Sequence, residues 1–367
     1  MRRLNALYLL APDAFGLIYG PDEQREIASR VDLLSPPLTR DDVSRAGELL
    51  AQADVLFSGW GAPVMDERFL DLCPRLQVVF YGAGAAGHVA TPMAFERGIL
   101  VSSAYVANSI PVAEYALATI LFSLKHGWRL SQQMQAQRKF VPRDGAPGCL
   151  GRTVGLVSLG TIARILLKLL KPFDLHILAY DPFLTPEEAR ELNVERVSLE
   201  ELFRRSHVVS VHTPSLAETQ GLIRGRHLAS MQQGATFINT ARGEVVREAE
   251  MIEVLAQRPD LQAVLDVLEK EPADATSAIF DLPNVFLTPH IAGSVGQECR
   301  RMARYMIDEL KRYLAGQPLQ WVITPELAAR SIHRSWVAKT RSTAPAVSIS
   351  INPAILPAKT ASQPVPI

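Results

Sequence analysis

Short apolar runs alternate along this chain with stretches whose apolar positions recur every three or four residues. In the first hundred residues, Ala6 to Leu10, Val55 to Ser58, Val78 to Phe80 and Ile99 to Val101 read as strands. Each is too short for a helix and is bounded by turn-forming or polar residues. Pro111 to Met134 is the longest helical stretch, and Phe140 to Arg152 is an arm punctuated by Gly and Pro. From Thr153 the alternation resumes. Val154 to Val157, Leu175 to Tyr180, Val208 to His212, Thr236 to Thr240, Gln262 to Val267 and Asn284 to Thr288 read as strands, and Gln297 to Leu314 as a closing helix. Strands that alternate with helices predict an α/β fold with parallel sheets. We expect two lobes with a cleft between them, joined by the long helix and the closing helix. One lobe takes 1–104 completed by 294–327, and the other takes 105–293. Arg330 to Ile367 has no acidic residue, no sustained periodicity and scattered prolines, which predicts a disordered tail over 328–367.

One junction between strand and helix carries chemistry. The run Val154 to Val157 breaks at Ser158-Leu159-Gly160 and becomes a helical pattern with Ile162, Leu166, Leu169 and Leu170. A second apolar run then ends on Asp181. This is the order of a dinucleotide-binding βαβ unit, in which backbone N–H groups and a helix N-terminus meet a pyrophosphate. The carboxylate of Asp181 can accept both ribose hydroxyls of NAD and would repel the extra phosphate of NADP, and no Arg or Lys follows closely in sequence to offset it. The glycine fingerprint is imperfect: its three positions hold Ser158, Gly160 and Ala163. Ser158 must therefore turn tightly with a side chain present.

A perfect G-x-G-x-x-G occurs elsewhere, at Gly82-Ala-Gly84-Ala-Ala-Gly87 after the run Leu76 to Phe80. Only a short helical piece, Pro92 to Arg97, follows before the next strand, which ends on Ser102 and Ser103 with no acid. Context assigns the NAD site to the imperfect copy.

Composition narrows the partners. The 367 residues are ample for two domains, and 38 basic against 38 acidic residues leave no field for nucleic acid or an anionic membrane. Cys73, Cys149 and Cys299 are far apart and form no metal-ligand or disulfide pattern, as expected of a cytoplasmic protein. The N-terminal run, closed by Ala11-Pro12-Asp13, reads as a first strand and not as a signal peptide. Val112 to Leu124 carries Glu114 and is read as too short to span a membrane.

Three candidate strands in succession end near a guanidinium, a carboxylate and an imidazole. Arg242 follows Thr236 to Thr240, Glu271 follows Gln262 to Val267, and His290 follows Asn284 to Thr288. In an open parallel sheet the ligand crevice lies beyond those carboxyl ends. Oxidation of a 2-hydroxy acid needs such a set. A base of suitable pKa takes the hydroxyl proton, a carboxylate orients it, and a cation pairs with the substrate carboxylate. Taken singly, Arg242 could bridge surface acids, His290 could be structural, and Glu269 competes with Glu271.

The segments Gly155 to Asp181, Val211 to Pro214, Asn239 to Gly243, Leu265 to Pro272 and Leu287 to Gly293 resemble the D-isomer-specific 2-hydroxyacid dehydrogenase family. The resemblance implies a Rossmann-type NAD-binding domain inserted in a flavodoxin-like substrate domain. It implies that Arg242, Glu271 and His290 are catalytic, with Arg242 on substrate and Glu271 as the partner of the histidine. Asp266 would lie near the nicotinamide carboxamide. Ser158, Gly160, Thr161, Ile162, Asp181, His212, Thr213, Pro214, Thr240, Ala241, Arg242, Asp266 and His290 are the expected cofactor contacts. The loop with Ala83 and Gly84 would offer backbone N–H groups to the substrate carboxylate, beside Trp60, Arg242 and His290. It departs from the family pattern at Ala86-Gly-His-Val89, which brings His88 into consideration. A homodimer is implied, through the helix after Pro111 and the arm up to Gly151. The loop Ser58 to Gly61 holds no Arg or Lys, so an unphosphorylated 2-keto acid of the hydroxypyruvate or glyoxylate kind, or a bulkier one beside Trp60, is the expected partner. The alternative is an NAD-sensing corepressor of the same fold.

Overall fold

The computed structural model describes residues 2–143 and 145–329. Two sheets organise it, and every strand pairing in them is parallel. The first holds β1 Asn5–Leu9, β2 Asp32–Leu33, β3 Val55–Ser58, β4 Val78–Tyr81 and β5 Leu100–Ser103, in the order β2-β1-β3-β4-β5. The second holds β6 Arg152–Val157, β7 Leu175–Tyr180, β8 Glu195–Arg196, β9 Val208–Val211, β10 Thr236–Asn239, β11 Gln262–Leu265 and β12 Val285–Leu287. Their order is β12-β11-β10-β9-β6-β7-β8. The first sheet is therefore flavodoxin-like and the second Rossmann-like, as expected. Strands β3, β4, β9, β10 and β11 are buried along their whole length, because helices cover both faces of a parallel sheet. The order reverses between β1 and β3 and between β6 and β9, so ligand crevices belong at the carboxyl ends there.

The linking helix departs from the sequence reading. It runs Tyr105–Ser123 and is followed by a separate helix, Gly127–Gln137, where one stretch from Pro111 to Met134 was expected. Pro111 lies inside the first helix and has no N–H for the Ala107 carbonyl. Burial of Ala107, Pro111, Val112, Ala113 and Ala116 offsets that loss. The break comes at His126, which takes a left-handed φ of 52°. By length and composition the 19-residue helix could cross a membrane, contrary to the shorter span read from sequence, and its most apolar window is 50% buried here. It packs on the helix Thr161–Leu170 and on the closing helix Glu298–Leu314.

The closing helix returns to the first sheet, where Met302, Met306, Ile307 and Leu310 join the core of Tyr8, Phe57 and Phe80. Its buried Glu309 accepts hydrogen bonds from Ser102 Oγ at 2.8 Å and from the Gln320 and Trp321 amides at 2.9 Å. Those contacts hold the following chain against β5. The tail expected over 328–367 lies, beyond Ala329, outside the described residues.

Candidate active site and dinucleotide cleft

The turn after β6 has the form its sequence demanded. Ser158 adopts a left-handed φ of 72° where the fingerprint places its first glycine. That conformation costs a residue with a side chain about 1 kcal/mol. A hydrogen bond between Ser158 Oγ and Thr213 Oγ1, 2.9 Å, ties the turn to the end of β9. Gly160 then caps the helix that starts at Thr161 and Ile162, and nothing lies within 4 Å of where its Cβ would stand. That leaves open space in front of a helix N-terminus, the kind of place where a phosphate can approach. Asp181 stands across the turn, its oxygens accepting from the Leu159 and Phe183 amides at 2.8 Å each. A carboxylate has about four acceptor positions, so room for ribose hydroxyls remains.

The wall of this cleft carries polar atoms without partners. His212 Nδ1 and Thr240 Oγ1, at the carboxyl ends of β9 and β10, are buried with no hydrogen-bond partner among the described residues. Buried polar atoms are rarely left so, and these fit the donors and acceptors of a bound dinucleotide. His212 is neutral, because burial pushes its imidazole down to about 4 while its Nε2 meets Ser210 Oγ at 3.1 Å. Thr213 and Ala241 are buried beside them, and Pro214 is exposed. No cation follows Asp181 closely in sequence, and β8 places Arg196 in the hollow beside Asp181, with Tyr180, Pro182, Val197, Ser198 and Glu201. The two-residue edge strand that delivers it gave no periodic signal.

The three candidate catalytic groups come together at the ends of β10, β11 and β12. Asn239 shapes the first loop, accepting from the Ala241 amide and donating to the Arg242 carbonyl, both at 3.0 Å. Gly243 follows, and any Cβ there would collide with the backbone of Leu268 and Glu269. Glycine thus lets the loop of Arg242 press on the loop that carries Glu271. Arg242 Nη1 donates to the Ala241 carbonyl at 2.6 Å. Burial lowers its pKa, and the negative charges of Glu271 and Glu244 oppose that shift. Glu271 Oε1 accepts from the Leu268 amide at 3.1 Å, and its Oε2 from His290 Nδ1 at 2.7 Å. Glu269 does not meet the ring; its amide donates to Glu248. The geometry therefore chooses Glu271.

His290 sits at φ 55°, another left-handed position, and buried Asp266 holds its loop there. The Asp266 carboxylate accepts from Thr288 Oγ1 at 2.6 Å, the Ile291 amide at 2.8 Å and the Ala292 amide at 2.9 Å. Three acceptor positions are used, which leaves one. Thr288 Oγ1 also meets Tyr115 OH at 2.8 Å, so the linking helix supports the loop. Sequence reasoning missed Thr288 and Tyr115, because their partners lie far along the chain.

Across the cleft, the glycine-rich loop after β4 offers free backbone donors. Ser103 Oγ donates to the carbonyls of Ala83 at 3.0 Å and Gly84 at 2.8 Å, whose own N–H groups find no acceptor among the described residues. Adjacent unpaired N–H groups of this kind suit an anion. Asn108 joins the two sides. A Cβ on Gly84 would stand 2.9 Å from its Nδ2, while its Oδ1 accepts from the Ser294 amide at 3.0 Å, next to Gly293. No local pattern signals this residue. Trp60 is half-buried and packs against the core clusters on both faces of the first sheet. His88 is half-buried, with its ring edge on Tyr81 at 5.4 Å.

Residues 117–292 match the model of the D-isomer specific 2-hydroxyacid dehydrogenase NAD-binding domain. The chain is 34% identical over 253 residues to an (S)-sulfolactate dehydrogenase of Chromohalobacter salexigens, covering 68% of this chain and 81% of that protein. It is 30% identical over 256 residues to a D-3-phosphoglycerate dehydrogenase of Mycobacterium tuberculosis, covering 70% of this chain and 48% of the relative. The chain thus spans about half the length of such phosphoglycerate dehydrogenases. Among solved structures, apo D-mandelate dehydrogenase of Rhodotorula graminis superposes with a TM-score of 0.72 at 25% identity, covering 88% of this chain and 98% of that one.

Proposed function

Since the chain belongs to the D-isomer-specific 2-hydroxyacid dehydrogenase family, we propose that it moves a hydride between NAD(H) and a 2-hydroxy acid/2-keto acid pair. The single observation that carries this reading is the 2.7 Å contact of Glu271 with His290 Nδ1, beside Arg242 at the same sheet edge. A carboxylate can only accept, so Nδ1 keeps its proton and Nε2 faces the reaction. In reduction, Nε2 gives its proton to the C2 oxygen; in oxidation it takes the hydroxyl proton back. Glu271 holds the ring in this orientation and tautomer. Arg242 pairs with the substrate carboxylate and polarises the C2 oxygen, and the Ala83 and Gly84 amides bind the carboxylate from the other side. The Ser158-to-Ile162 turn, Asp181, His212, Thr213, Pro214, Thr240, Ala241 and Asp266 line the place of the dinucleotide, whose nicotinamide supplies or accepts the hydride. The relatives act on phosphoglycerate, sulfolactate and mandelate by name. The cation-free loop Ser58 to Gly61 favours an unphosphorylated substrate.

A homodimer is part of the proposal. The helix Gly127–Gln137 has no buried residue, and Phe122, Phe140 and Leu150 expose large apolar surfaces near it. A second copy of the chain would cover them. The test of function is NADH oxidation over a panel of 2-keto acids, with His290→Asn beside the parent. Turnover should fall by roughly 10²–10⁴ in the variant while NADH fluorescence reports unchanged cofactor binding. Binding of NADH with no turnover of any keto acid favours the sensor reading instead.

A further inference from the structure

The loop after β3 carries no Lys or Arg of its own, yet the fold brings one to it. Leu38 forms a parallel bridge with Leu9, which leads the chain after β2 up to the carboxyl edge of the first sheet. There Arg40 Nη2 donates to the Ala62 carbonyl at 2.9 Å. Arg40 is exposed, and its guanidinium has no carboxylate within 4.0 Å among the described residues. The nearby Asp42 is occupied by the Thr39 hydroxyl at 2.6 Å and the Thr39 amide at 2.9 Å. The loops after β3 and β4 are stitched together on this side. The Met65 amide donates to the His88 carbonyl at 3.0 Å, and Thr91 Oγ1 to the Met65 carbonyl at 2.6 Å. One end of this unit presents the unpaired Ala83 and Gly84 amides, and the other presents His88 and Arg40. Burial first and the charge of Arg40 second lower the pKa of His88, which keeps its imidazole neutral.

We propose that Arg40 forms a second anion subsite at the end of the substrate cleft away from Arg242. Its ligand is a 2-keto or 2-hydroxy acid whose third carbon bears a singly charged carboxylate or sulfonate. The inference rests on the dehydrogenase reading and deepens it. One guanidinium, with one donor already given to Ala62, neutralises a single negative charge and can still offer paired N–H groups. A phosphate dianion would leave a charge uncompensated beside a neutral imidazole and a loop without cations.

The test titrates the NADH complex by fluorescence with four ligands that differ only in their third-carbon substituent: 2-oxobutanoate, oxaloacetate, 3-sulfopyruvate and 3-phosphonooxypyruvate. Wild-type protein should bind oxaloacetate or sulfopyruvate about tenfold more tightly than 2-oxobutanoate. Whichever of the two is tighter identifies the anion. Arg40→Gln should bring that ratio to within about twofold, and Arg40→Lys should restore part of it. A ratio cancels general damage to the fold, so a structural role alone does not move it. The proposal is overturned by a wild-type ratio near one, by an unchanged ratio in Arg40→Gln, or by the phosphate ester binding best. Turnover of the same ligands is scored separately. Its complete absence sinks the dehydrogenase reading, while the binding ratios still judge Arg40.

Discussion

The chain makes two glycine-rich turns at the ends of parallel strands, and they present nitrogen to anions in different ways. After β6 it passes through Ser158 to Gly160 and enters a ten-residue helix at once. After β4 it runs from Gly82 to Ala90 before a five-residue helix, Pro92–Glu96. The first turn therefore aims a helix N-terminus at its ligand, and the second aims single amides whose carbonyls are held back by Ser103. Their surroundings differ too: an acid, Asp181, faces the first turn, and hydroxyls face the second. The perfect glycine pattern sits at the turn without the helix. The chemistry of a turn is decided by the element it opens into, more than by its count of glycines.

Valine at the two glycines breaks this comparison most directly. At Gly160 an added Cβ meets no protein atom within 4 Å, so the branch of a valine would project into the space proposed for the phosphate. Gly160→Val should weaken NADH by about a hundredfold with thermal stability unchanged. At Gly84 the added Cβ stands 2.9 Å from Asn108 Nδ2 and pushes the amide loop. Gly84→Val should raise KM for the keto acid about tenfold and leave the Kd for NADH near its parent value. NADH titration and steady-state kinetics on both variants read the two effects. If Gly84→Val weakened NADH as much as Gly160→Val, the division of labour would be lost.

The same contrast explains what could be read from sequence. Arg242, Glu271 and His290 were legible because each lies a few residues past its own strand, and three adjacent strands point the same way. The NAD turn was legible for the same local reason. Asn108 was not, since it joins Gly84 to Gly293 and Ser294 across long stretches of chain. Arg196 and Arg40 escaped because strands of two residues, or none, deliver them. The linking helix was misjudged at Pro111, where tertiary burial outweighs the local penalty. Signals confined to one element survive in the sequence, and contacts between elements do not.

Histidines on the two sides sharpen the comparison through pH. His212, behind the NAD turn, is held down to about 4 by burial, while an unfolded chain keeps it near 6.5. Between those values the unfolded state binds the extra proton, so stability is full above 6.5 and is lost as pH falls toward 4. From pH 7.5 to 5 the loss from this residue is about 2 kcal/mol. His212→Asn should remove that part of the acid sensitivity in denaturant melts at the two pH values. His88, on the substrate side, is also lowered by burial and by Arg40, but it is only half-buried. His88→Asn should remove less. A larger rescue from His88 would reverse the order of burial assigned to the two turns.

The smallest effect belongs to the serine that replaces glycine. At φ 72° Ser158 bears the strain of a left-handed residue, and its hydroxyl returns part of it through Thr213. Ser158→Ala keeps the strain and loses the hydrogen bond, so it should cost about 1 kcal/mol. Ser158→Gly loses the same bond but sheds the strain, and the added freedom of the unfolded chain takes back only part of that gain. The glycine variant should therefore melt above the alanine variant, by a margin of about 0.5–1 kcal/mol. Cofactor affinity should hardly differ between them, because the phosphate approaches at Gly160. If alanine proved the more stable, the turn would carry no strain at Ser158. The serine would then be an ordinary occupant of its position, and not a glycine substitute held in place by Thr213.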